Sequence, residues 1–582
     1  MCGIVGYVGR REAAPLIVEG LKKLEYRGYD SFGVATIGQQ GIELAKHQGR
    51  ISEKSSSTVH LKGTIGIGHT RWATHGVPND VNAHPHLDCT GKIAVVHNGI
   101  IENYAELKRQ LLSRGHKFRS ETDTEVIVHL IEEEYEKKKE LLCAVQNVVP
   151  KLKGSYAILV IADGDEHLIA ARYASPLVIG VGDRETFAAS DMTPILEYTE
   201  RAMFMEDGDI ASITRDKLEI FHDGNIVTRP VELIDWSIDD AKKGGFAHYM
   251  LKEIFEQPLA FYNTIRATNL DTLFGVISRP SSITIVACGS SYNAGLIFGY
   301  LLEESCGIPT RLEFASEFKY FPPPVEGLVV GITQSGETAD TLTALKQAKA
   351  HNCRTLAITN VLGSTVSRVA DATLFMRAGP EIGVAATKSF IAQMAVLMQI
   401  INQLSGRKCG DMLLHAHEAI EEVLLMDLSK AVAQCKMAQS IFYVGRGPFY
   451  PVSLEGALKM KEISYIHAEG YAAGELKHGP FALLSAKTPV IAICMPGETY
   501  GVMVSNIKEM KARGAPVIGI GTEGDTELPE VVDIFIPLPK TGQFVQVLTN
   551  LVVLQLLAYH TAVGLGKDVD KPRNLAKSVT VE

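Results

Sequence analysis

Cysteine is scarce in this sequence: there are nine in 582 residues, and no two are spaced as a CxxC pair. That scarcity argues against a disulfide framework and against a zinc site built from cysteine pairs. Basic blocks are also lacking and the net charge is −10, which argues against a nucleic-acid or anionic-membrane partner. We expect reduced thiols in a cytoplasmic protein, with local sites still able to bind a small anion.

Uninterrupted long apolar runs are lacking as well. The two most apolar stretches, 390–404 and 547–566, contain Gln, Asn or His, which predicts buried core helices rather than membrane spans. The first apolar stretch is broken by Arg10, Arg11 and Glu12 and has no charged segment before it, so no secretory signal is expected.

The length is too great for one hydrophobic core and predicts about three domains. Residues 2–235 contain many short strand-like runs with helical patterns between them, which indicates an α+β sandwich. A polar and then glycine-rich stretch, 236–250, is the predicted linker.

The remaining sequence alternates strand, glycine turn and helix, which predicts parallel sheets, and it also repeats itself. ITQSGETADTLTALKQAKA (332–350) resembles ICMPGETYGVMVSNIKEMKARG (493–514), and IVACGSSYNAGLIFGYLLEE (285–304) parallels FYVGRGPFYPVSLEGALKMKE (442–462). The shared order predicts a duplicated, doubly wound α/β domain. We assign residues 251–415 and 430–565 to the two copies and 566–582 to a tail.

A cysteine directly after the initiator methionine can be a nucleophile that provides its own base. If Met1 is removed, the new α-amine has a pKa of about 7.7–8.0 and the thiol one of about 8.5, so the amine can take the thiol proton. Attack on a carboxamide creates an oxyanion, for which Asn98 and Gly99 offer donors. Arg71 can hold the carboxylate of an amino-acid substrate and Asp123 its ammonium group.

Each of these residues also has a purely structural interpretation. Cys2 alone could be a buried strand thiol, and a lone Arg or Asp is most often a surface or capping residue. His69, His75, His84 and His86 suggest metal ligands, but they lack helical i, i+4 spacing. No metal site is therefore predicted.

Six motifs together resemble class II glutamine amidotransferases: MCGIVGYVG, LEYRGYDSFG, HTRWATHG, NAHPH, VVHNGIIENY and SETDTE. The resemblance implies an N-terminal-nucleophile hydrolase sandwich (αββα) in which Cys2 attacks the glutamine side chain, releases ammonia and leaves a thioester for water. It assigns the oxyanion hole to Asn98 and Gly99. Glutamine binding and ammonia gating are assigned to Arg71, Trp72, His75, His86 and Asp123. Phe32 departs from the family, whose members usually have a smaller residue there.

Two loops in the first α/β copy are rich in hydroxyl groups. CGSSYNAG (288–295) and TQSGETADT (333–341) each follow an apolar strand and open a helix, an arrangement that binds phosphate at free helix N–H groups. Ordinary N-caps are the alternative for either loop alone. The second copy has GRGP and MPGET instead, so we expect the first copy to hold the phosphate.

The second copy presents three ionisable residues on one helix face. Glu455, Lys459 and Glu462 are spaced i, i+4 and i+7. Such a face is normally a solvated charge stripe, but apolar residues fill the positions between them, which favours a functional role.

This half resembles tandem sugar isomerase (SIS) domains, and the full chain resembles the amidotransferases that join a glutaminase to them. The resemblance implies glutamine and fructose 6-phosphate as substrates, glucosamine 6-phosphate as product, no cofactor, and a homodimer or higher homo-oligomer. Lys577 would form an imine with the open-chain sugar, Glu462 would move a proton between C1 and C2, and His478 would assist ring opening. Further substrate contacts are assigned to Gly289, Ser290, Ser291, Thr333, Gln334, Ser335, Thr338, Val384, Lys459 and Ala576.

Two of these assignments carry expectations of their own. Thr333 replaces the usual serine of the family and keeps the hydroxyl. Lys577 must be neutral to attack a carbonyl, so we expect a pocket that lowers its pKa.

Three alternatives define what else the chain could do. A phosphoribosyl acceptor predicts a pyrophosphate loop with an acidic pair after a strand, and the sequence has none. A non-catalytic phosphosugar sensor predicts the loss of Cys2, Glu462 or Lys577, and all three are present. A different ketose phosphate as acceptor remains open.

Overall fold

The computed structural model describes residues 2–25, 28–51, 60–72, 76–234, 243–268, 270, 279–320, 327–406 and 409–579. The chain divides into two compact units, Met1–Ala241 with Ser578–Glu582, and Lys242–Lys577. Part of the predicted linker, 236–242, lies outside the described residues.

The described part of the first unit is built mainly from antiparallel strands. They are β1 (Gly3–Val8), β2 (Ser31–Gly38), β3 (Gly41–Gln48), β4 (Ile65–Arg71), β5 (His86–Leu87), β6 (Ile93–Ile101), β7 (Gly154–Ala162), β8 (Leu168–Tyr173), β9 (Val178–Val181), β10 (Thr186–Ala189), β11 (Arg201–Phe204), β12 (Asp209–Ile213), β13 (Leu218–His222), β14 (Asn225–Val227) and β15 (Glu232–Leu233). The helices are α1 (Ala13–Lys23), α2 (Tyr104–Ser113), α3 (Glu125–Lys138) and α4 (Leu141–Val148), and a 3-10 turn spans Val149–Lys151.

These strands form two sheets that face each other. One has the order β15-β11-β9-β10-β1-β4-β2-β3 and the other β14-β13-β12-β8-β7-β6-β5, and a shared apolar core fills the space between them. Helix α1 covers the first sheet, and α2, α3 and α4 pack on the second over their own core. Alternating strands expose one apolar side to each core, which explains the four-layer arrangement.

The second unit begins with α5 (Tyr249–Phe255) and α6 (Gln257–Ala267) and continues with a parallel sheet. Its strands are β16 (Ile283–Ala287), β17 (Thr310–Phe314), β18 (Leu328–Ile332), β19 (Arg354–Thr359) and β20 (Ala372–Phe375). The helices that follow α6 are α7 (Gly289–Cys306), α8 (Ala315–Phe318), α9 (Ala339–Ala350), α10 (Thr365–Val369), α11 (Lys388–Leu404), α12 (Gly410–Val423) and α13 (Ser429–Lys436).

A second parallel sheet follows with the same connectivity. Its strands are β21 (Ser440–Gly445), β22 (His467–Ala472), β23 (Val490–Ile493), β24 (Val517–Thr522) and β25 (Ile534–Leu538). The helices are α14 (Phe449–Ser464), α15 (Tyr500–Lys511), α16 (Leu528–Val531) and α17 (Gln543–Gly564), with 3-10 segments at Ala473–His478 and Pro480–Leu483. The orders β17-β16-β18-β19-β20 and β22-β21-β23-β24-β25 are equivalent, so the predicted duplication is confirmed in topology.

Helix α17 is the described helix that is long and apolar enough to cross a membrane. Within the protein, 83% of its most apolar window is buried, and it packs against α14, α12 and α13. A buried core helix of this kind satisfies the same length and composition test, as the sequence predicted for 547–566.

Candidate active sites

The thiol of Cys2 lies at the start of β1, beside the end of β4. The two strands pair with Gly3 opposite Thr70, which brings Cys2 next to Arg71 and Trp72. The backbone N–H of Trp72 donates to Cys2 Sγ at 3.3 Å. Burial raises the pKa of the thiol, while the Trp72 N–H and the Arg71 charge oppose that rise. The net effect is a raised pKa, and the Trp72 N–H and the Arg71 charge make that rise smaller than burial alone would.

The opposite sheet reaches the same point through β6. Asn98 is 7% exposed, and its Nδ2 donates to the carbonyl oxygen of Cys2 at 3.0 Å. Gly99 follows with φ +123°, and a Cβ there would lie 2.0 Å from the Ser155 carbonyl oxygen. Glycine is thus required at this turn of the strand, directly beside the amide that contacts Cys2.

Arg71 and Asp123 are buried near the thiol. Arg71 Nη2 donates to the Gly76 carbonyl at 3.1 Å, and Asp123 Oδ2 accepts the Ile101 N–H at 2.8 Å. The charges of both residues influence the pKa of Cys2, so one site contains a thiol, a guanidinium and a carboxylate. Such a set can bind the two charged groups of a free amino acid on either side of a nucleophile.

Several histidines lie behind this site. The rings of His69 and His84 stack at 4.0 Å, His84 meets His86 edge-on at 4.7 Å, and His86 Nε2 lies 3.1 Å from Thr122 Oγ1. Burial lowers the pKa of His69 to about 3 and that of His86 well below its usual range, so both rings are neutral at physiological pH. His75 lies outside the described residues.

Two aromatic residues noted in the sequence have clear neighbours. Trp72 directly follows β4, and its ring meets that of Tyr29 edge-on at 5.5 Å. Phe32 is 1% exposed and its ring lies 5.3 Å from that of His47. The larger side chain at position 32 is therefore accommodated in the core.

The hydroxyl-rich loops of the second unit lie where the strand order reverses. β16 and β18 are neighbours in a parallel sheet, while their connections leave in opposite directions. The loops after both strands, 288–291 and 333–338, therefore border one crevice, where α/β sheets bind ligands. Two side-chain contacts are made there: Thr333 Oγ1 lies 2.8 Å from Thr338 Oγ1, and Gln393 donates to Ser291 Oγ at 3.0 Å.

Hydrogen bonds within the protein hold the backbone of the second loop. The carbonyl of Gln334 accepts the Asn360 N–H at 3.0 Å, and the Glu337 N–H donates to Ser335 Oγ at 3.2 Å. Gly336 has φ +68°, and a Cβ there would lie 2.2 Å from Ser364 Oγ. Gly289 likewise has φ +56° where α7 begins, beside Ser290.

The ionisable face predicted on α14 is buried rather than solvated. Lys459 is 1% exposed, and its Nζ lies 3.6 Å from Glu455 Oε1 and 2.5 Å from Glu462 Oε2. Asn293 of α7 donates to Glu455 Oε2 at 2.8 Å, which links the equivalent helices of the two copies. Burial raises the pKa of Glu455. Burial lowers the pKa of Lys459, but the two neighbouring carboxylates raise it by more, so the net change is a rise.

The tail brings Lys577 to the first copy. Its Nζ donates to the carboxylate of Glu381 and, at 2.8 Å, to the Gly383 carbonyl oxygen. Burial disfavours the Glu381 carboxylate, but the Lys577 charge and hydrogen bonds from Ser389 lower its pKa to about 2. Lys577 therefore pairs with a buried carboxylate of the first copy.

A third buried acid, Glu253, lies on α5 in the same region. Its Oε1 accepts the backbone N–H groups of Ile382 and Gly383 at 2.5 and 3.1 Å. Burial and the neighbouring Glu381 charge raise its pKa to about 7. Glu253 and Glu381 were not predicted from the sequence. The available indication was that each is an acidic residue within a partly apolar segment, MLKEIFEQP for Glu253 and GPEIGVAATKS for Glu381.

Asp570 anchors the tail upstream of Lys577. Its carboxylate accepts the N–H groups of Tyr249 and Met250 at 3.0 and 2.9 Å, and its carbonyl accepts the Val384 N–H at 3.0 Å. Val384 thus contacts the tail with its backbone, and half-buried Ala576 directly precedes Lys577. His478 ends a 3-10 segment with an exposed side chain, and no described contact joins it to Lys577 or Glu462.

Comparisons with known proteins match both units. Residues 69–197 match the family described as a glutamine amidotransferase domain, and residues 276–403 and 436–564 each match the SIS domain. The two SIS matches confirm the predicted duplication.

Relatives of known identity match over the whole length. The chain is 48% identical to a glutamine–fructose-6-phosphate aminotransferase (isomerizing) from Thermococcus kodakarensis and 47% identical to one from Methanosarcina mazei, with all of both chains covered in each case. A solved C-terminal domain of glucosamine-fructose-6-phosphate aminotransferase from Francisella tularensis is 36% identical. It covers 57% of this chain and 99% of that one, with a TM-score of 0.52.

Proposed function

The chain belongs to the family of glutamine–fructose-6-phosphate aminotransferases (isomerizing), and from that premise we propose how its residues carry out the reaction. The enzyme transfers the amide nitrogen of glutamine to fructose 6-phosphate and gives glutamate and glucosamine 6-phosphate. We place ammonia release at Cys2 and sugar conversion at Lys577, and we assign the first unit to the N-terminal-nucleophile hydrolase fold.

Glutamine hydrolysis begins with Cys2 and its own α-amine, after removal of Met1. The amine takes the thiol proton and the thiolate attacks the amide carbon, which forms a tetrahedral oxyanion. Asn98 Nδ2 and the Gly99 N–H stabilise that oxyanion. Asn98 Nδ2 already points at Cys2, bonded to its carbonyl at 3.0 Å. The protonated amine then returns its proton to the leaving nitrogen, and water hydrolyses the thioester to glutamate.

Arg71 and Asp123 orient glutamine for this attack. The substrate carboxylate pairs with the guanidinium and the substrate ammonium with Asp123, which leaves the side-chain amide at the thiol. His86 lines the site in its neutral form. The backbone N–H of Trp72 contacts Cys2 Sγ, so a change at the thiol can move Trp72. We assign the gating of ammonia to its side chain.

Fructose 6-phosphate binds at the crevice between β16 and β18. The hydroxyls of Ser290, Ser291, Ser335 and Thr338, together with free N–H groups where α7 and α9 begin, hold the phosphate. Gly289, Thr333 and Gln334 complete the two loops. The hydrogen bond between Thr333 and Thr338 brings two of these hydroxyls together and supports this assignment.

Lys577 must leave Glu381 to react. We propose that it gives its proton up and condenses with the C2 ketone of the open-chain sugar, releasing water; ammonia then displaces the lysine from the imine. Glu462 removes a proton from C1 and returns one to C2, which gives an aldehyde at C1 and an amine at C2. Lys459 holds Glu462 in place through their 2.5 Å ion pair. The proposal assigns ring opening to exposed His478 in the homo-oligomer expected from the sequence.

The observation that carries the sugar half of this proposal is the delivery of tail residue Lys577 to Glu381, beside the hydroxyl-rich crevice. The experiment is a product assay with amide-¹⁵N glutamine and a panel of ketose phosphates. Labelled glucosamine 6-phosphate should form from fructose 6-phosphate, with little aminosugar from tagatose 6-phosphate. Faster amination of another ketose phosphate would contradict the acceptor assignment, and unlabelled product would contradict transfer from glutamine.

A further inference from the structure

Four metal-ligating side chains converge in the first unit at a place that the proposed reaction does not use. Cys89 lies in the turn between β5 and β6, His116 follows the end of α2, and His129 and Glu132 are neighbours on α3. One potential ligand atom from each lies within 4.8 Å of the other three. His129 is 1% exposed and Glu132 6%, and Cys89 and His116 are half-buried.

Four of the six distances between the ligand atoms are close to the edges of a tetrahedron around a metal ion. Cys89 Sγ is 3.5 Å from His116 Nδ1 and 3.6 Å from His129 Nδ1. Glu132 Oε2 is 3.1 and 3.0 Å from the same two nitrogens. A tetrahedral zinc ion with bonds of about 2.0–2.3 Å requires ligand-to-ligand edges of roughly 3.3–3.6 Å. The side chains therefore need only small adjustments to bind one.

The ligand atoms of the four residues also face one another across a small space. The sulfur of Cys89 faces both ring nitrogens and also accepts the Lys117 N–H at 3.4 Å, yet a thiol has a single proton to share. Oxygen Oε2 of Glu132 receives both Nδ1 atoms and the Cys89 N–H, the last at 3.2 Å. One sulfur and one oxygen each face the same two ring nitrogens. Ligand atoms are arranged in this way around a bound metal ion.

The outer nitrogen of His116 is within hydrogen-bond distance of a carboxylate, and that of His129 lies slightly beyond that distance from another. His116 Nε2 lies 3.2 Å from Glu133 Oε1, and His129 Nε2 lies 3.6 Å from Glu125 Oε1. Metal-binding histidines commonly donate their second ring N–H to a carboxylate, which fixes the tautomer and leaves the other nitrogen free for the metal. Both rings here are oriented so that Nδ1 is the ligand atom.

We propose that Cys89, His116, His129 and Glu132 bind one Zn²⁺ ion. A thiolate, two imidazoles and a carboxylate suit zinc better than the harder Mg²⁺ or Ca²⁺. With all four positions taken by protein, the ion is structural rather than catalytic. It joins the turn before β6, the segment after α2 and helix α3, whose first turn follows Asp123. The ion would hold the start of α3, and with it Asp123, in position.

The test uses the full-length protein, expressed in zinc-supplemented medium and analysed by mass spectrometry for metals. One equivalent of zinc per chain is expected in the wild type and in two matched controls, Cys2→Ala and Cys143→Ser, which remove other thiols of the first unit. Cys89→Ser should lose most of it. Equal zinc in the Cys89 and Cys143 variants would overturn the proposal, because the metal would then be held elsewhere.

A second measurement needs no variant and so does not depend on how well one folds. The wild-type protein is stripped with a chelator and titrated with Co²⁺, which occupies zinc sites. Saturation at one equivalent is expected, with the visible absorption of tetrahedral cobalt and a near-ultraviolet thiolate-to-cobalt band that added Zn²⁺ abolishes. Absence of both bands at saturating Co²⁺ would overturn the assignment.

Discussion

Cys2 gains its proposed role from its neighbours. Taken alone it is a small residue at the start of a strand, but the structure surrounds its thiol with the Trp72 N–H, Arg71 and Asp123 and joins its carbonyl to Asn98. The sequence motifs predicted this set. Asn98 lies on one sheet and Cys2 beside the other, so the contact of the Asn98 amide with Cys2 depends on how the two sheets pack.

The first prediction concerns the N-terminus. If the α-amine of Cys2 is the base, the active enzyme must lack Met1, because an amide nitrogen at that position cannot accept the thiol proton. Intact-mass measurement of fully active protein should therefore give the mass of the chain beginning at Cys2. Full glutaminase activity in protein that retains Met1 would refute the mechanism.

The second prediction concerns Lys577. Borohydride should trap fructose 6-phosphate on the wild-type chain through reduction of the imine, and peptide mapping should place the adduct on the tail. Lys577→Ala should reduce trapping at least tenfold, whereas the matched tail variant Lys571→Ala should leave it unchanged. Undiminished trapping in Lys577→Ala would assign the imine to another lysine.

At the scale of elements, Gly99 shows how one backbone angle supports a site. Its φ of +123° is a backbone conformation that side chains rarely adopt, and a methyl group there would meet the Ser155 carbonyl oxygen at 2.0 Å. Gly91 has φ +74° with nothing within 4 Å of an added Cβ, so it shares the backbone demand without the steric conflict.

The third prediction uses this pair. Gly99→Ala should destabilise the first unit by about 2 kcal/mol or more, from backbone strain and displaced strand pairing, and should abolish glutamine hydrolysis. Gly91→Ala should cost about 1 kcal/mol and retain hydrolysis. Urea denaturation and a glutaminase assay measure both effects, and equal losses in the two variants would show that steric conflict at position 99 is unimportant.

The two parallel sheets were predictable as elements. Strand, glycine turn and helix recur in the same order in each copy, and the observed strand orders are equivalent. The charged face of α14 was predicted from its spacing as well. Its partner Asn293, 162 positions away on α7, was not, because the packing of one copy's first helix on the other's has no local sequence signal.

At the scale of the whole molecule, each described unit contains one set of the residues to which we assign the reaction. Cys2, Arg71, Asn98 and Asp123 belong to the first unit, and Lys577, Glu381 and Glu462 to the second. The two chemistries are different as well: one needs a thiolate and an oxyanion hole, the other an amine and a proton shuttle.

The fourth prediction follows from this separation. Cys2→Ala should lower glutamine-dependent synthesis of glucosamine 6-phosphate at least a thousandfold, because the nucleophile is gone. Conversion of fructose 6-phosphate to glucose 6-phosphate should remain within about twofold of wild type. Coupled product assays measure both rates in one preparation, and loss of both activities in a folded variant would contradict two separate sites.

The sequence by itself determined the order of the domains, the strand-loop-helix units and the local motifs, because each depends on residues a few positions apart. The tertiary structure decided which distant residues meet. Lys577 meets Glu381 across 196 positions, and Cys89 meets His116 and His129 across 27 and 40. Such contacts follow from sheet register, helix packing and the path of the tail, and these reflect the balance of burial over the whole fold rather than any local pattern.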